Sequence, residues 1–222
     1  MLAHLGDSRA QAPEGLLKTA AATADGGRAF AAEGAVLVAG AAIQWLRDGL
    51  GVIGSAAETE ALARSVDSSD GVVFVPALTG LGSPYWDPDA RGLVCGLTRG
   101  TTRAHLVRAA LEAIAHQVAD VLEVLPLDVG VLRADGGATA NAFLMQLQAD
   151  LIGCPVEVAA DAEATALGAA ALAGLATGVW RDTDEVASLI RRGVRYEPSL
   201  GAEAVDELRG TWRHAVRRTR LS

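Results

Sequence analysis

The chain has 222 residues, half of them hydrophobic and 21% charged, a balance that excludes a disordered chain and leaves room for a substantial core. Its net charge of −8 argues against a general nucleic-acid or anionic-membrane binder, although a phosphate site made of backbone N–H groups stays open. Cys95 and Cys154 form neither a disulfide framework nor a metal-ligand spacing, so buried free thiols in a reducing cytoplasm are expected. "MLAHLGDSRA" lacks a basic start followed by a long apolar run, and "VLVAGAAIQWL" is too short to span a bilayer, so the reading is a soluble chain.

In chain order, the first thirty residues read as short strands. "GLLKTAAAT" and "RAFAAEGAVLVAG" flank Asp25-Gly26-Gly27, a hairpin signal. "VLVAG" then reads as a strand running into the short helix "AAIQWLRDGL", and "ETEALARSV" as a second helix. "GVVFVPAL" and "GLVCGL" are strands on either side of a Gly- and Pro-dense loop, "TGLGSPYWDPDARG". From Thr102 a long helix is expected, because Val107, Ala110, Leu111, Ile114, Val118, Val121 and Leu122 recur at helical spacing until Pro126. A strand at Leu132, the helix "NAFLMQLQADLIG", the strand "PVEVA", the small-residue helix "EATALGAAALAGLATG", the capped helix "DTDEVASLIRRG" and a terminal amphipathic helix over about 202–220 complete the chain. Strands alternating with helices predict an α/β architecture, and the absence of repeats or a linker predicts one domain over 1–222.

Two junctions carry chemical interest. At "LRADGGATAN" a strand delivers Gly136-Gly137 to a helix start, where unobstructed backbone N–H groups and the helix dipole favour an anionic oxygen. Asn141 adds an amide that both donates and accepts. At "VLVAGAAIQW" Gly40 is followed four residues on by Gln44, the same spacing as Gly137 and Asn141. The competing reading at each is a tight turn whose glycines serve only backbone geometry. Neither junction has the Gly-x-Gly-x-x-Gly spacing of a dinucleotide fingerprint.

The remaining candidates favour structure. Tyr85 and Trp86 read as a plug over the sheet end, with Asp87 capping a turn. His105 and His116 lack a second ligand at metal spacing and read as satisfied or solvated side chains. Arg213, Arg217, Arg218 and Arg220 read as a solvated helix face favoured by the dipole. No Ser-His-Asp or Cys-His arrangement can be argued.

Several stretches together resemble the carboxy-terminal half of the FGGY carbohydrate kinases, and within them the glycerol kinase branch. They are "EGAVLVAGAAIQWLRDGL", "VPALTGLGSPYWDPDARGLVCGLTRGTTRAHLVRAALEAIAHQ", "RADGGATANAFLMQLQADLIGCPVE" and "EATALGAAALAGLATGVW". The resemblance implies an actin-like, ribonuclease-H-like ATPase domain, with a central mixed sheet flanked by helices and lacking its first strand or strands. It implies transfer of the γ-phosphoryl group of Mg-ATP to glycerol, with ATP and Mg2+ as cofactors. Carried over residue by residue, Gly40, Gln44, Gly137 and Asn141 match nucleotide-contacting positions, Gly137 at the phosphates and Asn141 toward the adenosine. The family's catalytic aspartate, its phosphate-binding hairpin and most of its glycerol-binding residues belong to an amino-terminal half that aligns upstream of Met1. No catalytic residue and no metal ligand are therefore assigned here, and the chain is expected to be inactive alone. Its implied partners are ATP or ADP, glycerol through the missing half, and either further copies or a complementing amino-terminal half, with no nucleic acid and no membrane. The alternatives are the matching half of another FGGY kinase, acting on a pentulose, and a non-catalytic nucleotide-binding or oligomerisation module.

Overall fold

The structure, a computed structural model, describes residues 1–7, 11–125, 127–160 and 163–220, with the side chain of Arg192 excepted. Strands β1 (Leu2–Gly6), β2 (Leu17–Ala21) and β3 (Ala29–Glu33) form an antiparallel sheet with β3 in the centre. The turn between β2 and β3 contains Asp25, whose carboxylate accepts from the Gly27 N–H, so the expected hairpin is present.

Helix α1 (Gly40–Asp48) does not follow a strand. The chain between Glu33 and Gly40 bends without entering a sheet, because its polar groups are taken by other partners. Ala35 exchanges two hydrogen bonds with Ser83, and the Val38 carbonyl accepts from the buried Gln117 amide at 3.2 Å. The loop from Thr79 to Gly92 can lie this close because Gly82 has no side chain: a Cβ there would overlap the Ala35 carbonyl.

Helix α2 (Glu58–Arg64) leads to β4 (Val73–Val75), which pairs antiparallel with β5 (Leu93–Cys95). Helix α3 (Arg103–Glu123) is the long helix expected from the apolar period. Val107, Ala110, Leu111, Ile114 and Val121 are buried, while Val118 and Leu122 are half-buried. At its start the Nδ1 of His105 accepts from the Thr102 N–H at 3.0 Å, so this histidine is a helix cap. The expected stop, Pro126, lies outside the described residues; the helix ends at Val124.

Strand β6 (Leu132–Ala134) runs parallel to β7 (Val156–Ala159), and β7 also pairs antiparallel with β8 (Arg192–Tyr196). Among the described residues the strands form three small sheets in place of one central sheet, and only β6-β7-β8 is mixed. Helices α4 (Ala142–Ile152), α5 (Ala164–Thr177), α6 (Thr183–Leu189) and α7 (Ala202–Thr219) complete the fold. Asp182 caps α6 by accepting from the Glu185 N–H, and α7 matches the expected terminal helix.

One apolar cluster joins α1, α3 and α4 through Ala42, Ile43, Leu46, Val107, Leu111, Leu144 and Met145. A second lies between β4, α3 and α7, around Trp212. No helix among the described residues is long and apolar enough to cross a membrane.

Candidate functional site

The first junction opens α1. No side chain caps its first turn, so N–H groups at the helix start are left for solvent or a ligand. Ala42, Ile43 and Leu46 face the core, which turns Gly40 and Gln44 outward on the opposite side; both are exposed. Gln117, a buried α3 amide, holds the approach to this junction through Val38.

The second junction leaves β6 through Gly136, whose φ of +89° suits glycine, and passes through a 3-10 turn at Gly137–Ala140. Gly137 has no such backbone requirement, and a Cβ built on it meets no atom within 4 Å; the same holds for Gly40. Neither backbone strain nor internal packing therefore explains these two glycines. The open space over both would take a ligand that approaches the main chain closely.

Asn141 is the N-cap of α4 rather than a residue inside the helix. Its Oδ1 accepts from the Leu144 N–H at 2.9 Å, and its Nδ2 donates to Thr59 Oγ1 at 3.1 Å. The neighbouring Ala142 N–H donates to Glu60 Oε2 at 3.1 Å, so α2 is tied to the entrance of α4 by two bonds. The helices that follow the two junctions share one buried cluster on α3.

The loop "TGLGSPYWDPDARG" is structural in the way the residues suggested. Asp87 Oδ1 accepts from the N–H groups of Asp89 and Ala90, and the Trp86 indole N–H donates to the Gly15 carbonyl at 2.8 Å. Asp87 also meets Arg220 at 3.4 Å, and the Arg220 guanidinium lies 5.3 Å from the centre of the Tyr85 ring.

Sequence reasoning missed the buried polar cluster beside this loop. Arg209, 2% exposed, donates to Asp120, to Glu123 at 3.0 Å and to the His116 carbonyl at 3.0 Å. Arg209 also lies 3.2 Å from His116 Nδ1; since arginine can only donate, that nitrogen is the acceptor and the proton sits on Nε2. Burial, with Arg209 and Arg213 adding to it, pushes His116 down to about 3, so the ring stays neutral. Its ring stacks on Trp212 at 5.1 Å, and the Trp212 N–H donates to Asp120 at 2.8 Å. Burial pushes the Asp120 carboxyl up, against the opposing pull of Arg209. Tyr85 is raised by burial and by the neighbouring Asp120 carboxylate. The terminal arginines are thus not uniformly solvated: Arg213 pairs with Glu123 at 2.7 Å and Arg220 with Asp87. The helical spacing from Arg209 to Arg213 placed these side chains on a helix, but nothing in it distinguished the buried one.

Among the described residues no group of three His, Cys, Asp or Glu side chains is placed to hold a metal ion. Both cysteines are free; Cys154 is buried and Cys95 half-buried.

A family model described as the C-terminal domain of the FGGY family of carbohydrate kinases matches residues 3–177. Glycerol kinase 2 of Thermotoga maritima is 52% identical to this chain, over 99% of it and 45% of the relative. A glycerol kinase of Deinococcus radiodurans is 53% identical, over 92% and 42% respectively. The crystal structure of Plasmodium falciparum glycerol kinase with ADP superposes with a TM-score of 0.91 at 34% identity, covering 98% of this chain and 44% of that one. A ligand-bound xylulose kinase from Lactobacillus acidophilus, at a TM-score of 0.80 and 22% identity, shares the fold over 96% of this chain and 43% of its own. The chain spans about half the length of the curated relatives it matches. It belongs to the FGGY family of carbohydrate kinases, whose C-terminal domain it contains.

Proposed function

We propose that this chain is the nucleotide-binding, carboxy-terminal portion of an ATP-dependent glycerol kinase, which converts glycerol and ATP to glycerol 3-phosphate and ADP. The observation that carries the reading is the pair of glycines, Gly40 and Gly137, open above their backbones with no internal reason to be glycine. Bound Mg-ATP supplies the phosphoryl group. Gly137 would take the phosphates against its main chain, Asn141 would face the adenosine, and Gly40 with Gln44 would close on the nucleotide from α1. The Mg2+ would arrive with the nucleotide phosphates, since no acidic cluster among the described residues is placed to hold it. Glycerol as acceptor is supported by relatives at about half identity that are named glycerol kinases.

The chain acts in this reading as one domain over residues 1–222, in the cytoplasm, its partners being further copies or an amino-terminal half supplied by a longer chain or a separate polypeptide. That half would bring the general base and the groups that hold glycerol. A missing base costs ~10²–10⁴-fold in rate. Lost positioning forfeits effective molarities on the order of 10⁵–10⁸ M. The chain alone is therefore inactive.

The test is glycerol-dependent ADP release with Mg-ATP, by the chain alone and after adding the amino-terminal portion of the Thermotoga maritima relative. Turnover only in the mixture supports the reading. Turnover by the chain alone would overturn it and place the base within these residues, with Asp87 and Asp135 the first to replace. Mg-ADP binding without turnover in the mixture would favour the non-catalytic module, and turnover of a pentulose in place of glycerol the other kinase.

A further inference from the structure

The hydrogen bonds at the start of α4 fix how the Asn141 amide is oriented, and they assign that task to a residue of another helix. An asparagine amide can turn over, presenting either its oxygen or its nitrogen on a given side. Here the oxygen is committed to the Leu144 N–H at 2.9 Å as a helix cap. The nitrogen donates one of its two hydrogens to Thr59 Oγ1 at 3.1 Å. Thr59 is 2% exposed, and its own hydroxyl hydrogen is spent on the Ala56 carbonyl at 2.7 Å, so towards Asn141 it can only accept. A turned-over amide would set its oxygen against an oxygen with no hydrogen to offer, and its nitrogen against the Leu144 N–H. Both contacts would fail together.

We infer that Thr59 is a positioning residue for nucleotide recognition: it holds the half-buried Asn141 amide so that the remaining Nδ2 hydrogen is the donor offered to a bound nucleotide. This inference rests on the proposed nucleotide site. It deepens that reading by naming what the site reads at Asn141, which is a hydrogen-bond acceptor on the nucleoside, a ribose oxygen or a purine ring nitrogen. The second tie between the helices, Glu60 Oε2 with the Ala142 N–H at 3.1 Å, keeps Thr59 in place when its hydroxyl is altered.

The experiment is a calorimetric titration of Mg-ADP into the full chain and into T59V, T59S, N141D and N141A, with melting temperatures and 1H–15N spectra of the side-chain amides. T59V is nearly isosteric but can neither accept nor donate, and its affinity is expected to fall about three- to tenfold, the worth of one neutral hydrogen bond. T59S keeps the oxygen and should bind as the unaltered chain does. N141D keeps the helix cap but removes the donor, and should bind about tenfold more weakly. In T59V the Asn141 side-chain amide signals, identified by their loss in N141D, should move toward each other as the amide is released. Wild-type affinity in T59V alongside weakened binding by N141A would overturn the inference and leave the nucleotide site standing. Equal loss in T59V and T59S would also overturn it, since packing rather than the hydroxyl would then be responsible. Wild-type affinity in N141A, or no binding by the unaltered chain, would remove the site itself and the inference with it.

Discussion

Helices α3 and α5 are both rich in alanine and leucine, yet they occupy opposite environments. Along α3 most of the apolar side chains are buried, many of them against α1, α4 and β4. Along α5 only Gly174 is buried, and Leu167 is 52% exposed. Past its end, Val179, Leu189 and Ile190 are more exposed still. The contrast shows that apolar composition does not fix burial. Helix α3 is covered on most sides by its neighbours, so that even Arg108 and Glu112, paired at 3.0 Å, are largely enclosed. The sequence "ATALGAAALAGLAT" has no charged residue, and its helix has high intrinsic propensity and is closed by Gly178 in the left-handed region, with Trp180 packed over Gly174.

The comparison breaks hardest at the buried ion pair that ties α7 to α3. Replacing Arg209 by alanine strands Asp120 and should destabilise the fold by about 3–5 kcal/mol in denaturant unfolding. A loss under 1 kcal/mol would mean that the carboxylate finds water or protonates without cost. Next comes Leu111→Ala in the α3 core, with an expected cost of ~2–5 kcal/mol.

A pH scan sharpens the α3 side further. His116 is held near 3 when folded and returns to about 6.5 when unfolded, so the unfolded chain binds the extra proton between those values. Stability from this group is therefore present above about pH 6.5 and lost as pH falls toward 3, amounting to about 2 kcal/mol between pH 7 and pH 5. Asp120, raised by burial, works in the opposite sense, so the informative quantity is the difference between the unaltered chain and His116→Gln. Glutamine can still accept from Arg209, and that variant should lack the histidine part of the slope. The smallest effect belongs to α5, where Leu167→Ala should cost no more than about 1 kcal/mol, because the side chain is already 52% exposed. A cost of 2 kcal/mol there would show that α5 is covered in solution.

Much of this organisation was legible in the residues. The α3 period, the Asp25-Gly26-Gly27 hairpin and the Asp182 cap are local signals, and local chemistry decided them. Strand β8 was not legible, since "RGVRY" has two arginines and a glycine, and it forms only because β7 offers it an edge. The supposed strand before Gly40 failed for the complementary reason: "VLVA" has strand-forming residues, but Ser83 takes both polar groups of Ala35 just before it and Gln117 takes the Val38 carbonyl. At the candidate site the glycines and amides could be read from spacing alone. The bonds from Thr59 and Glu60 to the start of α4 could not, because they join residues 82 positions apart.

The central claim is that the open main chain at Gly137 receives a nucleotide. It is tested most directly by titrating Mg-ADP into the chain and into Gly137→Leu, with melting temperatures recorded beside the affinities. A Cβ there meets no protein atom within 4 Å, so the larger side chain has open space to enter and the fold should be unchanged while the nucleotide is shut out. An unaltered melting temperature with at least tenfold weaker binding is the predicted result. Equal affinity in the two proteins would contradict the account.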